Sequence, residues 1–372
     1  MSPASPSRRQ FLARASLTAG ALTLPSLLSA CGSGGDSASG AAASPSGVNA
    51  KWPRLRARQV VLAGFGGETY RVRQQEQFAP FTKLAGARVV EAPWDYGKFV
   101  SMVAAPSPEW DMIDFDGFSV AALVQQGKAP GKLADWVRRC DLVDAAYRDY
   151  AGGSYAYSVV MGWSTKLGAT PRGWADFFDL KRFPGKRAFP KSIYAGTMEL
   201  ALLADGVPKD KIYPLDFDRA LAKLDTIKSS LIFYDSYAQG QQYMAQGSAS
   251  MIATANSRVI QLKNSGRGVD WTYQDAILYP WGAFGLTRHA PNADAANALI
   301  DFMSTPESQA AVARKLYLGP TVSKAFESLT PTERALQPSA PENVAKQLSV
   351  NVDALAKQDN DYVKKFFAWV GE

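Results

Sequence analysis

From Gln59 onward, short apolar runs bounded by turn residues alternate with stretches whose apolar positions recur every three or four residues. Val60–Ala63 predicts a strand, Gly64-Phe65-Gly66-Gly67 a tight turn, and residues 69–84 a helix. Val89–Ala92 and Asp111–Phe115 predict the next two strands, with helices over 95–104 and 119–126. Strand–helix–strand succession of this kind implies a mainly parallel sheet with helices on both faces.

A second set follows. Residues 174–178 predict a helical turn, Ala188-Phe189-Pro190 the end of a strand, and residues 197–204 and 217–228 helices. Residues 231–234 and 250–254 predict strands. Two helices are expected from Asn292 to Met303 and from Pro306 to Tyr317, and an amphipathic one near 361–370 closes the chain. No repeat of fixed period is present. An α/β architecture of two lobes suits the length of residues 59–372.

The chain before Gln59 reads differently. Ser7-Arg8-Arg9-Gln10-Phe11-Leu12 precedes an apolar stretch and then Leu28-Ser29-Ala30-Cys31, the layout of a bacterial export signal. The arginine pair resembles a twin-arginine signal, and Leu-Ser-Ala-Cys resembles a lipobox in which Cys31 becomes the acylated first residue. Only residues 15–30 separate Arg14 from Cys31 and they include Pro25, too short for the ~20 residues a membrane span needs. Residues 1–30 are therefore expected to be a signal peptide. Residues 31–58, rich in Gly, Ser, Ala and Pro at their start, are expected to be a flexible, lipid-anchored linker.

The formal net charge of +7 is uneven. Arg8, Arg9 and Arg14 supply three charges, and Lys51, Arg54, Arg56 and Arg58 against Asp36 supply three more, which leaves one for the body. The basic excess thus lies beside the membrane, where anionic headgroups are the natural neighbour, and nucleic-acid binding loses its support. Cys140 is the one other cysteine, so no internal disulfide is available, and it reads as a packing residue at a helix end. His289, the only histidine, lies in a turn-like stretch; Ser-His-Asp and Cys-His sites would both require it. No HExxH, CxxC, Walker A or GxSxG run occurs, so neither an enzyme nor a cofactor is expected.

The turn at 64–67 lacks the third glycine of a dinucleotide fingerprint, because Thr69 stands there. It still aims backbone N–H groups of Phe65 and Gly66 toward the space between lobes, where an anionic group could sit. The basic cluster Lys181, Arg182, Lys186, Arg187 and Lys191 reads as a solvated face. Aromatics gather at Tyr155, Tyr157, Tyr194, Tyr234, Tyr237, Tyr279 and Trp281, and a subset falling at strand ends is expected to line a cleft.

The motifs resemble those of the periplasmic solute-binding proteins of ABC importers, in the spermidine/putrescine-binding branch. They are Glu109-Trp110-Asp111-Met112-Ile113 with Gln126-Gly127, Gly173 to Phe178, Phe183 to Arg187, Tyr243 to Gly247, Asp294 to Gln309, and Leu318-Gly319-Pro320-Thr321. The resemblance implies a two-lobed, type II-like binding-protein fold, each lobe a mainly parallel sheet flanked by helices, closing on a ligand in the cleft. Lobe one is expected over 59–158 and 284–335, and lobe two over 159–283 and 336–372. The implied partners are a small-molecule ligand, an ABC permease and its ATPase. The implied form is a periplasmic monomer held to the membrane through Cys31.

The ligand pattern departs from the polyamine type. Ala255-Asn256-Ser257-Arg258, Tyr279-Pro280-Trp281 and Lys191-Ser192-Ile193-Tyr194 stand where the resemblance would lead one to expect Trp-Asn-Gly, an aromatic–x–acid triplet and an acidic loop. A dication would meet too little negative charge there, so a ligand with an anionic or aromatic group is expected. The expected ligand-binding set is Phe65, Gly66, Asp116, Phe118, Tyr155, Tyr157, Lys191, Tyr194, Asn256, Arg258, Tyr279 and Trp281. Tyr279 and Trp281 are expected to stack on the ligand, while Asn256, Arg258 and Lys191 fix its polar end. An ordinary polyamine receptor, a tyrosine-based ferric-ion receptor and an extracytoplasmic enzyme on the same fold are the alternatives.

Overall fold

The computed structural model describes Trp52, Leu55 and residues 59–64, 66–192 and 195–371. The expected signal, the lipidation site Cys31, and the candidate residues Phe65 and Tyr194 lie outside the described residues. The described residues lie within one compact unit.

Its strands, in chain order, begin with β1 (Gln59–Gly64), β2 (Arg88–Pro93), β3 (Met112–Asp116) and β4 (Gly152–Gly153). Next come β5 (Tyr157–Ser164), β6 (Arg187–Pro190), β7 (Leu231–Tyr234) and β8 (Met251–Ala255). The last are β9 (Val269–Tyr279), β10 (Gly282–Leu286) and β11 (Leu348–Ser349). They form two sheets of order β2-β1-β3-β10-β4 and β11-β9-β5-β8-β6-β7.

The sheets are mixed, not mainly parallel. In the first, β1 pairs β2 and β3 in parallel, whereas β10 runs antiparallel to β3 and β4. In the second, β6 is parallel to β7 and β8, but β5 is antiparallel to β8 and β9. The cause is the way the chain changes sheets. It leaves the first sheet at β4 and enters the second at β5, then returns between Tyr279 and Gly282, and a strand made on such a crossing arrives from the opposite direction. The bridge between Ala156 and Gly319 ties a later segment to the first crossing.

Each sheet is covered on both faces, as strands that are apolar on both sides require. Phe78, Phe81, Leu299 and Ile300 pack on one face of the first sheet, and Phe99, Val120, Leu123 and Trp281 on the other. The second sheet carries a large cluster including Phe177, Phe189, Leu200, Leu224, Tyr362 and Phe366, with Met244, Val259 and Tyr273 opposite. Two boundaries differ from expectation. The closing helix starts at Val352, with the Asn351 side chain accepting from Ala354 N, because Leu355 extends the apolar face of Tyr362 and Phe366 toward the N-terminus. Trp52, inside the expected linker, is docked: its Nε1 donates to Asp301 Oδ2 at 2.8 Å and its ring lies 5.8 Å from that of Phe81.

Candidate ligand-binding site

Asp116, Pro190, Tyr234 and Ala255 are the final residues of β3, β6, β7 and β8, and all four line one cavity of about 400 Å3. Ligands of open α/β sheets sit in such a place, outside the carboxyl ends of the strands. The first sheet's side adds Thr69, Leu316 and Leu318. The crossing adds Tyr155 and Tyr157, and the second sheet's side adds Lys191, Ser192, Asp235, Ser236, Tyr237, Ser257, Arg258 and Gln261.

Two charges in this wall have no ion-pair partner among the described residues. Asp116 is one. Its carboxyl is pushed up to about 7 by burial and by the nearby charge of Asp114, against a hydrogen bond from Tyr157. The arginine behind it is already committed: Arg73 Nη1 holds Asp114 Oδ2 at 2.6 Å, with its guanidinium 4.7 Å from the Phe284 ring centre and 5.3 Å from that of Tyr155. Arg258 is the other. Its guanidinium lies 5.2 Å over the Tyr237 ring, and its Nε is buried with no hydrogen-bond partner. The Tyr237 hydroxyl, pushed up to about 12 by burial, is drawn down by Arg258 and raised by Asp116, so the two charges act on one point of the cavity. The remaining cation is compensated, since Lys191 Nζ lies 3.5 Å from Asp235 Oδ1.

Of the expected set, Asp116, Tyr155, Tyr157, Lys191 and Arg258 come together in the wall. The other described members do not line it. Trp281 is buried against Gly117, where a Cβ would approach its ring to 2.8 Å, and 6.0 Å from the Tyr147 ring; its expected stacking on a ligand is corrected to a core role. Tyr279 lies directly behind Tyr157, and its hydroxyl accepts from Gly196 N at 3.0 Å. Phe118 packs 6.3 Å from Tyr279. Asn256 is fully buried and structural: Oδ1 accepts from Ser158 N at 3.0 Å, and Nδ2 donates to Tyr317 O at 2.7 Å. Each sits where the chain needs a packing partner or a buried hydrogen bond, so its side chain is used up before the cavity begins.

Gly66 is corrected in an informative way. Its N–H donates to Glu91 Oε1 at 3.0 Å, so the seat expected for a ligand anion is filled by the protein's own carboxylate. Tyr234 and Tyr237 stood in the aromatic cluster and line the wall; Asp235, Ser236 and Ser257, one to two residues beyond β7 and β8, were missed. Strand-end position was the signal that could have found them. His289 is exposed in a turn and does not line this wall.

Two sheets flanked by helices, joined by crossings, with a cavity at the strand ends that presents opposite charges, define a two-lobed solute receptor. The chain belongs to the bacterial extracellular solute-binding proteins, whose family pattern it matches over residues 76–338. It is 27% identical over 328 residues to the γ-aminobutyric acid-binding protein of Pseudomonas aeruginosa, covering 85% of this chain and 92% of that protein. It is 31% identical to the solved Atu4243 GABA receptor, with a TM-score of 0.75 over 84% of this chain and 97% of that one. The spermidine/putrescine-binding protein PotD of Streptococcus pneumoniae shares the fold, with a TM-score of 0.65 at 13% identity over 85% of this chain and 99% of that one.

Proposed function

We propose that this protein is the extracytoplasmic receptor of an ABC importer and captures a small solute carrying both a carboxylate and an amine. The observation that carries the reading is the pair Asp116 and Arg258, opposite charges in one cavity wall and each without an ion-pair partner among the described residues. A buried charge is costly until it is matched, so a ligand offering the complementary charge to each gains at both ends. Arg258 takes the carboxylate through its free Nε and the rest of its fork; Asp116 takes the amine; Tyr155, Tyr157 and Tyr237 enclose the methylene body. Relatives named for γ-aminobutyric acid, itself such a molecule, support the assignment.

This refines the expectation of a simply anionic ligand, because a carboxylate also faces the cavity. No bond is broken. Binding draws the two lobes together and the loaded form is handed to the permease. In this reading Cys31 carries the lipid anchor after twin-arginine export, and the receptor works as a monomer at the membrane surface. Mass spectrometry of the solute released from purified protein tests it: a molecule with one amine and one carboxylate is expected, and a diamine or a metal complex would overturn it.

A further inference from the structure

β6 and β7 run parallel with Pro190 opposite Tyr234, so the next residue of each strand, Lys191 and Asp235, emerges side by side at the cavity edge. The register is held past the strand ends, since Lys191 N donates to Tyr234 O at 3.0 Å and Asp235 N to Gln239 Oε1 at 2.8 Å. On the other flank of β6 lies β8, which leads into Arg258. Along this edge the charges therefore run Arg258, Lys191, Asp235, two cations and then an anion 3.5 Å from the middle one.

We propose that Asp235 is a specificity-determining residue: it sets a carboxylate beside Lys191 at the cavity edge, next to the seat that Arg258 offers, and the cavity thereby rejects solutes with two carboxylates. The inference rests on the reading of Arg258 given above and adds the reason why a dicarboxylate of the same length is excluded. A dicarboxylate meets repulsion from both Asp116 and Asp235, while its second carboxylate must compete with Asp235 for Lys191. Specificity thus comes from a charge placed against the wrong ligand as much as from contacts with the right one. The Asp235 side chain is 70% exposed, so an isosteric amide there leaves the core untouched.

The test compares 4-aminobutyrate with glutarate, which differ in whether the far end of the same three-methylene chain carries an ammonium or a carboxylate. Both are titrated by calorimetry into the whole mature protein and into Asp235→Asn and Asp235→Ser, with melting temperature confirming that each variant folds. Glutarate affinity is expected to rise about fivefold or more in both variants, the scale of one charge removed at a few ångströms in a wet cleft. The gain for 4-aminobutyrate, whose single carboxylate Arg258 already takes, should be clearly smaller than the gain for glutarate in the same measurement. Unchanged glutarate affinity, or an equal gain for both ligands, overturns the role of Asp235. If Arg258→Ala leaves 4-aminobutyrate binding at full strength, the reading of Arg258 fails instead, and the two failures are separated.

Discussion

The rings of Tyr157 and Tyr279 lie parallel, 4.6 Å apart with an interplanar angle of 4°. Only Tyr157 reaches the cavity; Tyr279 backs it and receives the Gly196 N–H on its hydroxyl. Tyr157→Phe is therefore expected to weaken ligand binding, because it removes the hydrogen bond that favours ionised Asp116, while costing the empty protein about 1 kcal/mol or less. Tyr279→Ala is expected to destabilise the empty protein by about 3 kcal/mol, by analogy with other large-to-small core changes. Paired urea melts and ligand titrations separate the two outcomes.

Trp281→Ala behaves as a core deletion. The side chain is 3% exposed and packs on Gly117 and Tyr147, so a loss of about 3–5 kcal/mol in unfolding free energy is expected. Arg258→Ala does the reverse. It is expected to cost about 2 kcal/mol of ligand affinity, on the scale of truncating one partner of a desolvated charge pair, with the melting temperature of the empty protein nearly unchanged. A folded, tight-binding Trp281→Ala together with an unfolded Arg258→Ala would invert the assignment.

These two residues show how far the sequence was legible. Short apolar runs bounded by clear turn residues found β1, β2, β3, β6, β7 and β8, and three-to-four-residue periodicity found most helices. It passed over β5, whose residues 157–163 are all buried and so have no alternation to read, and β9, whose first half is partly exposed. Asp116 and Arg258, both expected from the sequence, line the cavity at and just beyond strand ends, where ionisable groups have few structural uses. The aromatics were not. Trp281 and Tyr157 look alike in sequence, and only the register of β10 on β3, which pairs Gly282 with Asp116, turns Trp281 inward.

Protonation gives an independent readout. Asp116 and Glu199 are both raised to about 7 by burial, above the ordinary carboxylate range that they have in the unfolded chain. The folded state thus binds more protons between about pH 4 and pH 7, and these two groups make stability fall as pH rises through that window. Binding has the opposite sign: a ligand ammonium needs ionised Asp116, so affinity is expected to rise between about pH 6 and pH 8. Asp116→Asn should flatten the binding profile, and calorimetry across that range checks it.

Burial also holds the hydroxyls of Tyr155, Tyr157 and Tyr234 well above their ordinary range. A tyrosinate in this cavity is correspondingly costly, and added ferric ion is expected to give no tyrosinate-to-iron absorption band. A band would favour the ferric-receptor alternative.

The anchor is tested at one residue. Cys31→Ser is expected to move the protein from the membrane fraction to a soluble or signal-retaining form, because in the proposed anchor one cysteine would carry the whole attachment. Unchanged membrane association in fractionated cells would remove the lipid anchor from the account.

The central claim is that one site reads an amine and a carboxylate together. Calorimetric titration of the mature protein with 4-aminobutyrate, butyrate and putrescine tests it most directly, since the last two each lack one of the charges that Asp116 and Arg258 would match. 4-Aminobutyrate is expected to bind at least about tenfold more tightly than either, which is ~1.4 kcal/mol. Putrescine or butyrate binding as tightly as 4-aminobutyrate would contradict it.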